Sequence, residues 1–391
     1  MTELQNILIV SGEHSGDSLG GDLVREFKKI NSNYQFFGIG GTNMISEGVR
    51  STYDIEELNV IGFSGIVFKY RKLKKIANQL VQECVTKNVK YAILIDYPGF
   101  NLELASMLKN ASKDIKIIFY VSPQIWAWRF NRIHKIKKYV DLQLLLFPFE
   151  KKIYDRYNID NVVVGHPLMG KMQSMLETGL EIKTSDENKV ITLMPGSRTG
   201  EIKRLLHLLL DSAKVIHDKH PNTEFLLPGI NEKESKFIET NLELFKNENP
   251  KIKISYQFNN SAKCLEKADM VILASGTATL EVAYFKKPMI ILYINSFLTH
   301  FIGKRVLLIP YVGLVNILAE KFIVKEFLQS ECNTENITQE AFKILENKLY
   351  REEMISNVSA IKESLGTGDS SKKAANAILK LISSSPPPSP S

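Results

Sequence analysis

The chain has 391 residues, of which 44% are hydrophobic and 24% charged, and its formal net charge at pH 7 is +7. This length exceeds what one hydrophobic core usually supports, so we expect two domains in an ordinary soluble globular protein. The modest positive charge favours anionic partners such as nucleotides, phospholipid head groups or nucleic acid, without choosing among them.

The cysteines and the apolar stretches argue against secretion and against a membrane span. The three cysteines, Cys84, Cys264 and Cys332, are odd in number and far apart, which fits reduced thiols in a cytoplasm. The N-terminus has no secretory signal pattern. Residues 306–319 form the longest apolar stretch, but it is interrupted and shorter than the roughly 20 residues that a membrane-crossing helix needs.

Apolar runs alternate with helical patterns through the first half of the chain. The apolar runs are apolar throughout instead of at every second residue, which predicts a parallel sheet covered on both faces. The predicted strands are residues 6–10, 34–39, 91–95, 115–121 and 162–164, and the predicted helices include 18–30 and 147–157.

The second half repeats this alternation after a polar segment, residues 171–188, which we interpret as a linker. Only helical patterns follow residue 310, and residues 383–391, which are serine and proline, should be disordered. We therefore expect two doubly wound α/β domains that face a cleft, followed by C-terminal helices. The expected bounds are 1–170, 189–345 and 346–382; the predicted strands of the second domain are 190–194, 224–228, 251–256 and 270–273, and its helices are 201–217, 233–244, 261–267 and 278–285.

A loop follows the first strand, and its glycines would allow close backbone approach to a ligand. Its sequence is SGEHSGD, residues 11–17, and the spacing of its glycines is not that of a dinucleotide fingerprint. We prefer a loop that grips a sugar or a phosphate, and a merely structural turn is the alternative. The residues assigned to binding are Glu13, Ser15, Gly16 and Asp17.

An acidic residue, Asp96, stands at the carboxyl end of the strand predicted at 91–95, where ligands sit in open α/β sheets. Flanked by Tyr97 and Phe100, its carboxylate would be partly desolvated and could act as a general base, a role typically contributing ~10²–10⁴ in rate. The alternative is a helix N-cap.

The segment at residues 61–76 mixes apolar and basic side chains in a helical pattern. An apolar face ringed by cations is typical of a helix that lies on an anionic membrane surface. A core-facing helix with a basic outer side is the alternative. The residues expected to face the membrane are Ile66, Val67, Phe68, Lys69, Arg71 and Lys72.

Both tryptophans, Trp126 and Trp128, follow a predicted strand. They could line an apolar ligand pocket, and equally they could be part of the core. The basic run after them is more often a solvated helix face than an anion site.

The second domain carries two loops of the phosphate-binding kind. Gly196, Ser197 and Arg198 follow a predicted strand, and the guanidinium could hold a pyrophosphate by bidentate contacts, unless it is an exposed arginine paired with Glu201. A second loop precedes the helix predicted at 278–285, whose free N–H groups favour phosphate. In that loop and helix the candidate residues are Ser275, Gly276, Thr277 and Glu281. Glu281 is placed to accept hydrogen bonds from a ribose diol. The alternative is an ordinary turn, since small residues and a glutamate are common there.

Nine segments follow one another along the chain in a specific pattern: SGEHSGD (11–17), GIGG (38–41), residues 56–62, IDYPGFN (95–101), YVSPQIWAWR (120–129), FPFEKKIYD (147–155), GHPL (165–168), MPGSR (194–198) and SGTATLE (275–281). Taken together, these segments resemble the lipid-A-disaccharide synthase family. The resemblance covers nearly all of the chain except the expected linker and the tail. The chain departs from the family pattern at His14, Thr42 and Val315.

The resemblance implies an inverting glycosyltransferase with the two-domain GT-B fold, needing no cofactor or metal and binding no nucleic acid. The implied donor is UDP-2,3-diacylglucosamine and the implied acceptor is 2,3-diacylglucosamine 1-phosphate. It further implies that Asp96 is the base for the acceptor 6-hydroxyl, that Arg198 and Asn316 lie at the donor, and that Glu281 contacts the uridine ribose.

The resemblance also implies a place and an assembly for the protein. It would work in the cytoplasm, peripherally on the inner face of the inner membrane, and could form homodimers that exchange C-terminal segments. Two other functions remain open: a UDP-N-acetylglucosamine epimerase, and a nucleotide-binding protein at the membrane without catalysis.

Overall fold

The computed structural model describes residues 4–31, 33–55, 58, 66–126, 129–185, 187–229, 232–294, 310–366 and 368–384; at 66–70, 232 and 233 only the backbone is described. The chain divides into two compact units. Unit 1 is Met1–Pro167 together with Thr367–Ser391, and unit 2 is Leu168–Gly366.

Unit 1 is built on a seven-stranded parallel sheet in the order β3-β2-β1-β4-β5-β6-β7. Its central strand, at residues 91–95, is apolar and buried at every position, as a sheet covered by helices on both faces requires. Helix α1 presents Leu23, Val24 and Phe27 to the core on one face. The strands are β1 Gln5–Ser11, β2 Tyr34–Ile39, β3 Arg50–Tyr53, β4 Tyr91–Ile95, β5 Lys116–Tyr120, β6 Leu142–Leu145 and β7 Asn161–Val163; the helices are α1 His14–Ile30, α2 Thr42–Ser46, α3 Ile66–Thr86, α4 Pro98–Ala111, α5 Arg132–Tyr139 and α6 Pro148–Arg156.

Unit 2 repeats the plan with a six-stranded parallel sheet in the order β10-β9-β8-β11-β12-β13. Leucines and isoleucines spaced three and four residues apart give α8 a continuous buried face. The strands are β8 Lys189–Met194, β9 Thr223–Gly229, β10 Lys253–Phe258, β11 Met270–Ala274, β12 Met289–Tyr293 and β13 Lys325–Leu328; the helices are α7 Leu168–Thr178, α8 Thr199–Lys219, α9 Glu232–Glu248, α10 Ser261–Lys267, α11 Ala278–Tyr284, α12 Leu314–Ala319, α13 Thr334–Glu346 and α14 Lys348–Ser364, with a 3₁₀ turn at Gln329–Glu331.

Each sheet has a point where the strand order reverses. In unit 1 it lies between β1 and β4, where Ser11 pairs with Ile95, and in unit 2 between β8 and β11, where Met194 pairs with Leu273. Loops that leave adjacent strands at such a point diverge to opposite faces of the sheet and leave a crevice in which ligands bind. The two doubly wound parallel sheets predicted from the sequence are confirmed.

The structure differs from the sequence prediction at the expected linker. The first part of 171–188 is helix α7, which packs against α10 and α11 within unit 2. Its pattern looked polar because few of its side chains, among them Leu168 and Met172, face the core.

The C-terminal part also differs from the expectation of helices alone. Strand β13 adds to the edge of the second sheet, beside β12. Helix α14 packs on α11 and α13 in unit 2, whereas the last helix, α15 at Ser370–Ser384, packs on α1 in unit 1. Of the tail expected to be disordered, residues 383 and 384 close this helix and 385–391 lie outside the described residues. Exchange of these helices with a partner chain stays a prediction.

Candidate functional site

A cavity of about 300 Å³ opens in unit 2 at the carboxyl ends of β8 and β11. It lies at the reversal point of the sheet, where the topology favours a ligand. The sequence analysis placed each of the two loops after a strand of the second domain, and in the structure both loops line one pocket. The predicted residues that line it are Gly196, Ser197, Arg198, Ser275, Gly276, Thr277 and Glu281.

The first loop needs glycine at its centre. Gly196 has a backbone φ of +104°, and a Cβ atom built on it would lie 2.6 Å from Oε2 of Glu201. The loop can therefore turn this tightly only without a side chain at this position. Ser197 and Arg198 follow, and α8 begins at Thr199 with its first N–H groups next to the pocket.

The guanidinium of Arg198 is exposed over 84% of its side-chain surface and lies 3.3 Å from Oε1 of Glu201. The pairing with Glu201 that the sequence left as an alternative is therefore present, and the side chain lines the pocket as well. An exposed pair of this kind is typically worth only about 0.2–1 kcal/mol. Arg198 can accordingly leave Glu201 for an anion in the pocket at small cost.

The second loop leaves its outer face open. A Cβ atom on Gly276 would meet nothing within 4 Å. Ser275 is fixed from behind, because its hydroxyl donates to the carbonyl oxygen of Val312 over 3.0 Å and its N–H donates to that of Leu292. Large ligand groups can thus approach the backbone at Gly276.

Burial raises the pKa of the Glu281 carboxyl, and the ammonium of Lys171 opposes that rise. Both side chains line the pocket. Sequence reasoning missed Lys171 because it placed this residue in the linker, and it missed Met175, Pro228 and Ser261, which carry no motif. In the described parts of the chain no three His, Cys, Asp or Glu side chains are grouped as metal ligands would be.

Asn316 does not line this pocket, although the family resemblance implied a donor contact. Its side chain is 0% exposed and all its hydrogen-bonding capacity is used within the protein. Nδ2 donates to Glu326 Oε1 and to the carbonyl of Val324, while Oδ1 accepts from the N–H groups of Ile323 and Val324. The carboxylate of Glu326 in turn accepts from the N–H groups at 312 and 313. Through Glu326, Asn316 is connected to the segment at 312–313, whose Val312 carbonyl accepts from the Ser275 hydroxyl.

In unit 1 the corresponding reversal point holds Asp96, directly after β4. Its backbone N–H donates to the carbonyl of Tyr120 over 2.8 Å, and its φ is +48°. Burial raises the pKa of this carboxyl, and the nearby Glu13 carboxylate raises it further. The helix N-cap alternative is wrong, since Tyr97 occupies the cap position of α4. A half-buried carboxyl at this edge is suited to accept a proton.

The loop after β1 packs against Tyr97, the residue next to Asp96, through Gly12, whose added Cβ would come within 2.4 Å of the Tyr97 ring. The loop is short, because α1 already begins at His14. Glu13 and Ser15 are exposed at this edge, whereas Gly16 is buried over Ser11. Glu13 lies close enough to Asp96 for its charge to raise the pKa of that carboxyl. Substrate contacts of Glu13, Ser15 and Gly16 stay predictions.

Asp17 is not available to a substrate. Its side chain is 1% exposed and accepts four hydrogen bonds, from the N–H groups of Gly41, Asn43 and Met44 and from Nδ2 of Asn43. The carboxylate binds the N-terminus of α2, where the free N–H groups and the helix dipole favour negative charge. The predicted substrate contact is corrected to a structural one.

Two further predictions concern segments that are described only in part. Trp126 is buried as a core residue, and Trp128 lies outside the described residues. In α3 the side chains of Ile66, Val67, Phe68 and Lys69 also lie outside them. From residue 71 onward α3 turns Ile76, Ala77 and Leu80 to the core and leaves Arg71 and Lys72 exposed, as a core-facing helix with a basic outer side would. Within the described ranges, none of the helices is both long and apolar enough to cross a bilayer.

Solved structures share this architecture. A UDP-GlcNAc 2-epimerase from Neisseria meningitidis, bound to UDP-GlcNAc, superposes with a TM-score of 0.63 at 13% identity, over 96% of this chain and 100% of that one. MurG from Acinetobacter baumannii gives a TM-score of 0.61 at 15% identity, over 96% and 99%. At such low identity the likeness concerns the fold alone, and it confirms the GT-B type.

Sequence relatives are closer. The profile of the family described as "Lipid-A-disaccharide synthetase" matches residues 7–380. The lipid-A-disaccharide synthase of Acinetobacter baylyi is 36% identical over 97% of this chain and 98% of its own length, and that of Vibrio campbellii is 36% identical over 96% and 97%. The resemblance inferred from the motifs is confirmed. The chain therefore belongs to the lipid-A-disaccharide synthase family of glycosyltransferases.

Proposed function

We propose that the protein transfers a diacylglucosamine from UDP-2,3-diacylglucosamine to 2,3-diacylglucosamine 1-phosphate, giving the β-1′,6-linked disaccharide 1-phosphate and UDP. Family membership supports the formation of a lipid A disaccharide. The observation that carries the finer proposal is the pocket of unit 2, which presents two backbone loops, Arg198 and Glu281 at one reversal point.

The donor nucleotide fits this pocket by charge. A UDP-sugar carries a pyrophosphate and a ribose diol, which need cationic or N–H donors and a carboxylate acceptor respectively. Arg198 and the loops at 196–197 and 275–277 supply the donors, and Glu281 supplies the acceptor. Lys171 adds a second cation to the same wall.

The reaction follows as a single displacement. Asp96 accepts the proton of the acceptor 6-hydroxyl, whose oxygen attacks the anomeric carbon of the donor as the bond to UDP breaks. Because attack and departure occur on opposite faces of the sugar, the configuration inverts. Negative charge grows on the pyrophosphate during this step, and Arg198 with the loop N–H groups stabilises it.

One assay separates this function from its rivals. Purified protein incubated with both lipid substrates should release UDP and form a disaccharide 1-phosphate that mass spectrometry identifies. An epimerase would instead convert water-soluble UDP-N-acetylglucosamine without lipid or detergent. A binding protein would retain UDP and yield no product.

The ribose contact of Glu281 is tested by Glu281→Gln. Loss of a charged acceptor should weaken UDP binding by roughly 10–100-fold, since hydrogen bonds to charged groups are worth about 1.5–3 kcal/mol. Titration calorimetry with UDP and with its 2′-deoxy and 3′-deoxy analogues measures this. The wild type should prefer UDP over at least one analogue, and the variant should lose that preference.

Glu239→Gln, an exposed residue of α9, is the matched control for this prediction. It should bind UDP like the wild type. An unchanged preference for UDP in Glu281→Gln would place the ribose elsewhere.

We further propose that the protein works peripherally on the inner face of the inner membrane, with the N-terminal part of α3 against the lipid. Both proposed substrates carry acyl chains, and Ile66, Val67 and Phe68 begin a helix whose next turn is basic. A homodimer that exchanges C-terminal segments also stays part of this proposal.

Charge reversal tests the membrane contact. Lys69→Glu, Arg71→Glu and Lys72→Glu combined should release the protein from anionic vesicles, because each basic residue near such a surface contributes about 1 kcal/mol. Vesicle sedimentation at physiological salt measures the bound fraction. Reversal of Lys135, Lys137 and Lys138 on α5 changes the net charge equally and should leave binding intact. Equal loss in both triple variants would point to net charge alone.

A further inference from the structure

The backbone is strained at two adjacent turns of unit 1. Asp96, after β4, and Val121, after β5, have φ angles of +48° and +71°, a region that β-branched residues such as valine rarely enter. The two turns are joined, because the N–H of Asp96 donates to the carbonyl of Tyr120. The position of Asp96 therefore depends on whatever holds the chain at Val121.

A buried polar cluster holds that chain. The hydroxyl of Ser122 lies 2.6 Å from that of Tyr154, and Nε1 of Trp126 donates to Oε1 of Glu150 over 3.3 Å. The other carboxylate oxygen, Oε2, accepts from the N–H of Phe147 over 3.0 Å. Tyr154 and Glu150 of α6 thus bond to the two ends of the loop at residues 122–126.

Glu150 is suited to holding this loop, because a buried carboxyl without hydrogen-bond partners would destabilise the fold. It is 2% exposed, and burial raises the pKa of its carboxyl to about 7. Oε1 and Oε2 each accept from an N–H group, so the position requires two acceptor oxygens; a carboxylate offers two and a glutamine only one. The Ser122 hydroxyl and the Leu146 N–H also bond to this carboxylate. A buried carboxyl is tolerated in a protein where hydrogen bonds offset the loss of its hydration.

We propose that Glu150 is a positioning residue for Asp96: through Trp126 and the backbone at 147 it fixes the loop that directly follows Tyr120, whose carbonyl accepts from the N–H of Asp96. This inference rests on the proposed function, since it takes Asp96 as the base. The same cluster includes Ser122 and Tyr154, which secure the end of the loop nearest to Asp96.

The test is Glu150→Gln, assayed for disaccharide formation. Its kcat should fall about tenfold or more, because small misplacements of a catalytic group are costly, while its affinity for UDP, which binds in unit 2, stays the same. The acidic limb of the kcat–pH profile should move to lower pH for two reasons, of which the first is that the Glu150 carboxyl, whose pKa burial raises to about 7, no longer titrates in the variant. The second concerns Asp96. A displaced loop admits water to Asp96, so its pKa falls, while Glu13 and the Tyr97 N–H, which also act on this carboxyl, remain in place.

Several outcomes decide the matter. A kcat of Glu150→Gln within about twofold of the wild type overturns the inference. So does a fall in kcat that is proportional to the loss of folded protein and leaves the pH profile unmoved, since lost stability alone does not shift a pKa. If Glu150→Gln does not fold, Tyr154→Phe, which removes one hydroxyl and keeps Glu150, must show a smaller loss of kcat and a shift of the acidic limb in the same direction. Lys152→Gln, exposed on α6, should match the wild type. If the wild type forms the disaccharide and Glu150→Gln forms it at the same rate, this inference alone is refuted. If the wild type forms no disaccharide, the proposed function is refuted as well.

Discussion

Replacement of Asp96 by asparagine should lower the turnover number by ~10²–10⁴ and leave UDP binding unchanged. The amide cannot accept the proton of the acceptor hydroxyl, whereas its size and shape preserve the strained turn after β4. UDP is expected to bind in unit 2, where Asp96 takes no part. Steady-state rates of disaccharide formation and calorimetric UDP titration measure the two quantities.

The pH dependence gives a second check on this residue. Burial and Glu13 both raise the pKa of Asp96, so the base is ionised above that raised value and activity should fall as the pH drops through it. The fall should therefore begin at a higher pH than an ordinary carboxyl would give. Asp114→Asn, the same change at an exposed turn before β5, is the control and should behave as the wild type does. Near-normal turnover of Asp96→Asn would remove Asp96 as the base.

The sheets, and with them the strand ends that carry the candidate site, could be predicted from the sequence for one physical reason. Strands buried on both faces are apolar throughout, so β1, β4, β8 and β11 stand out, and the residue after each strand must lie at the carboxyl edge. Strand β13 was not predicted because it is four residues long and contains a charged residue, Glu326. The carboxylate of Glu326 accepts hydrogen bonds from two backbone N–H groups. No periodicity reveals such a strand.

The assignments of Asp17 and Asn316 could not have been judged from sequence. A polar side chain near a glycine loop can face a ligand or turn inward, and the choice depends on partners that are distant in the chain. Asp17 is held by residues 24 to 27 positions away. Glu150 shows the same limit, since Trp126, its partner, is 24 positions away. Motifs identify which residues gather at an edge, but not which of them support the others.

Removal of the Arg198 side chain should cost ~10² or more in kcat, by analogy with the loss of one oxyanion donor. The Arg198 side chain is 84% exposed, and within the described residues its guanidinium pairs with Glu201 alone, so Arg198→Ala should not change the thermal midpoint measurably. A loss of rate without a loss of stability is the signature of a group that acts on the departing UDP. Single-turnover rates with saturating donor isolate this step from binding.

Arg198→Lys and Lys203→Ala sharpen the interpretation. Lysine keeps the charge without the bidentate fork, so an intermediate rate would show that the geometry of the contact to phosphate matters as well as its sign. Lys203 lies on the same helix, α8, and is exposed outside the pocket lining; its loss should leave the rate unchanged. A change below about threefold in Arg198→Ala would mean that the loop N–H groups and Lys171 suffice to stabilise the leaving group, because a donor that matters to the transition state costs far more than that when removed.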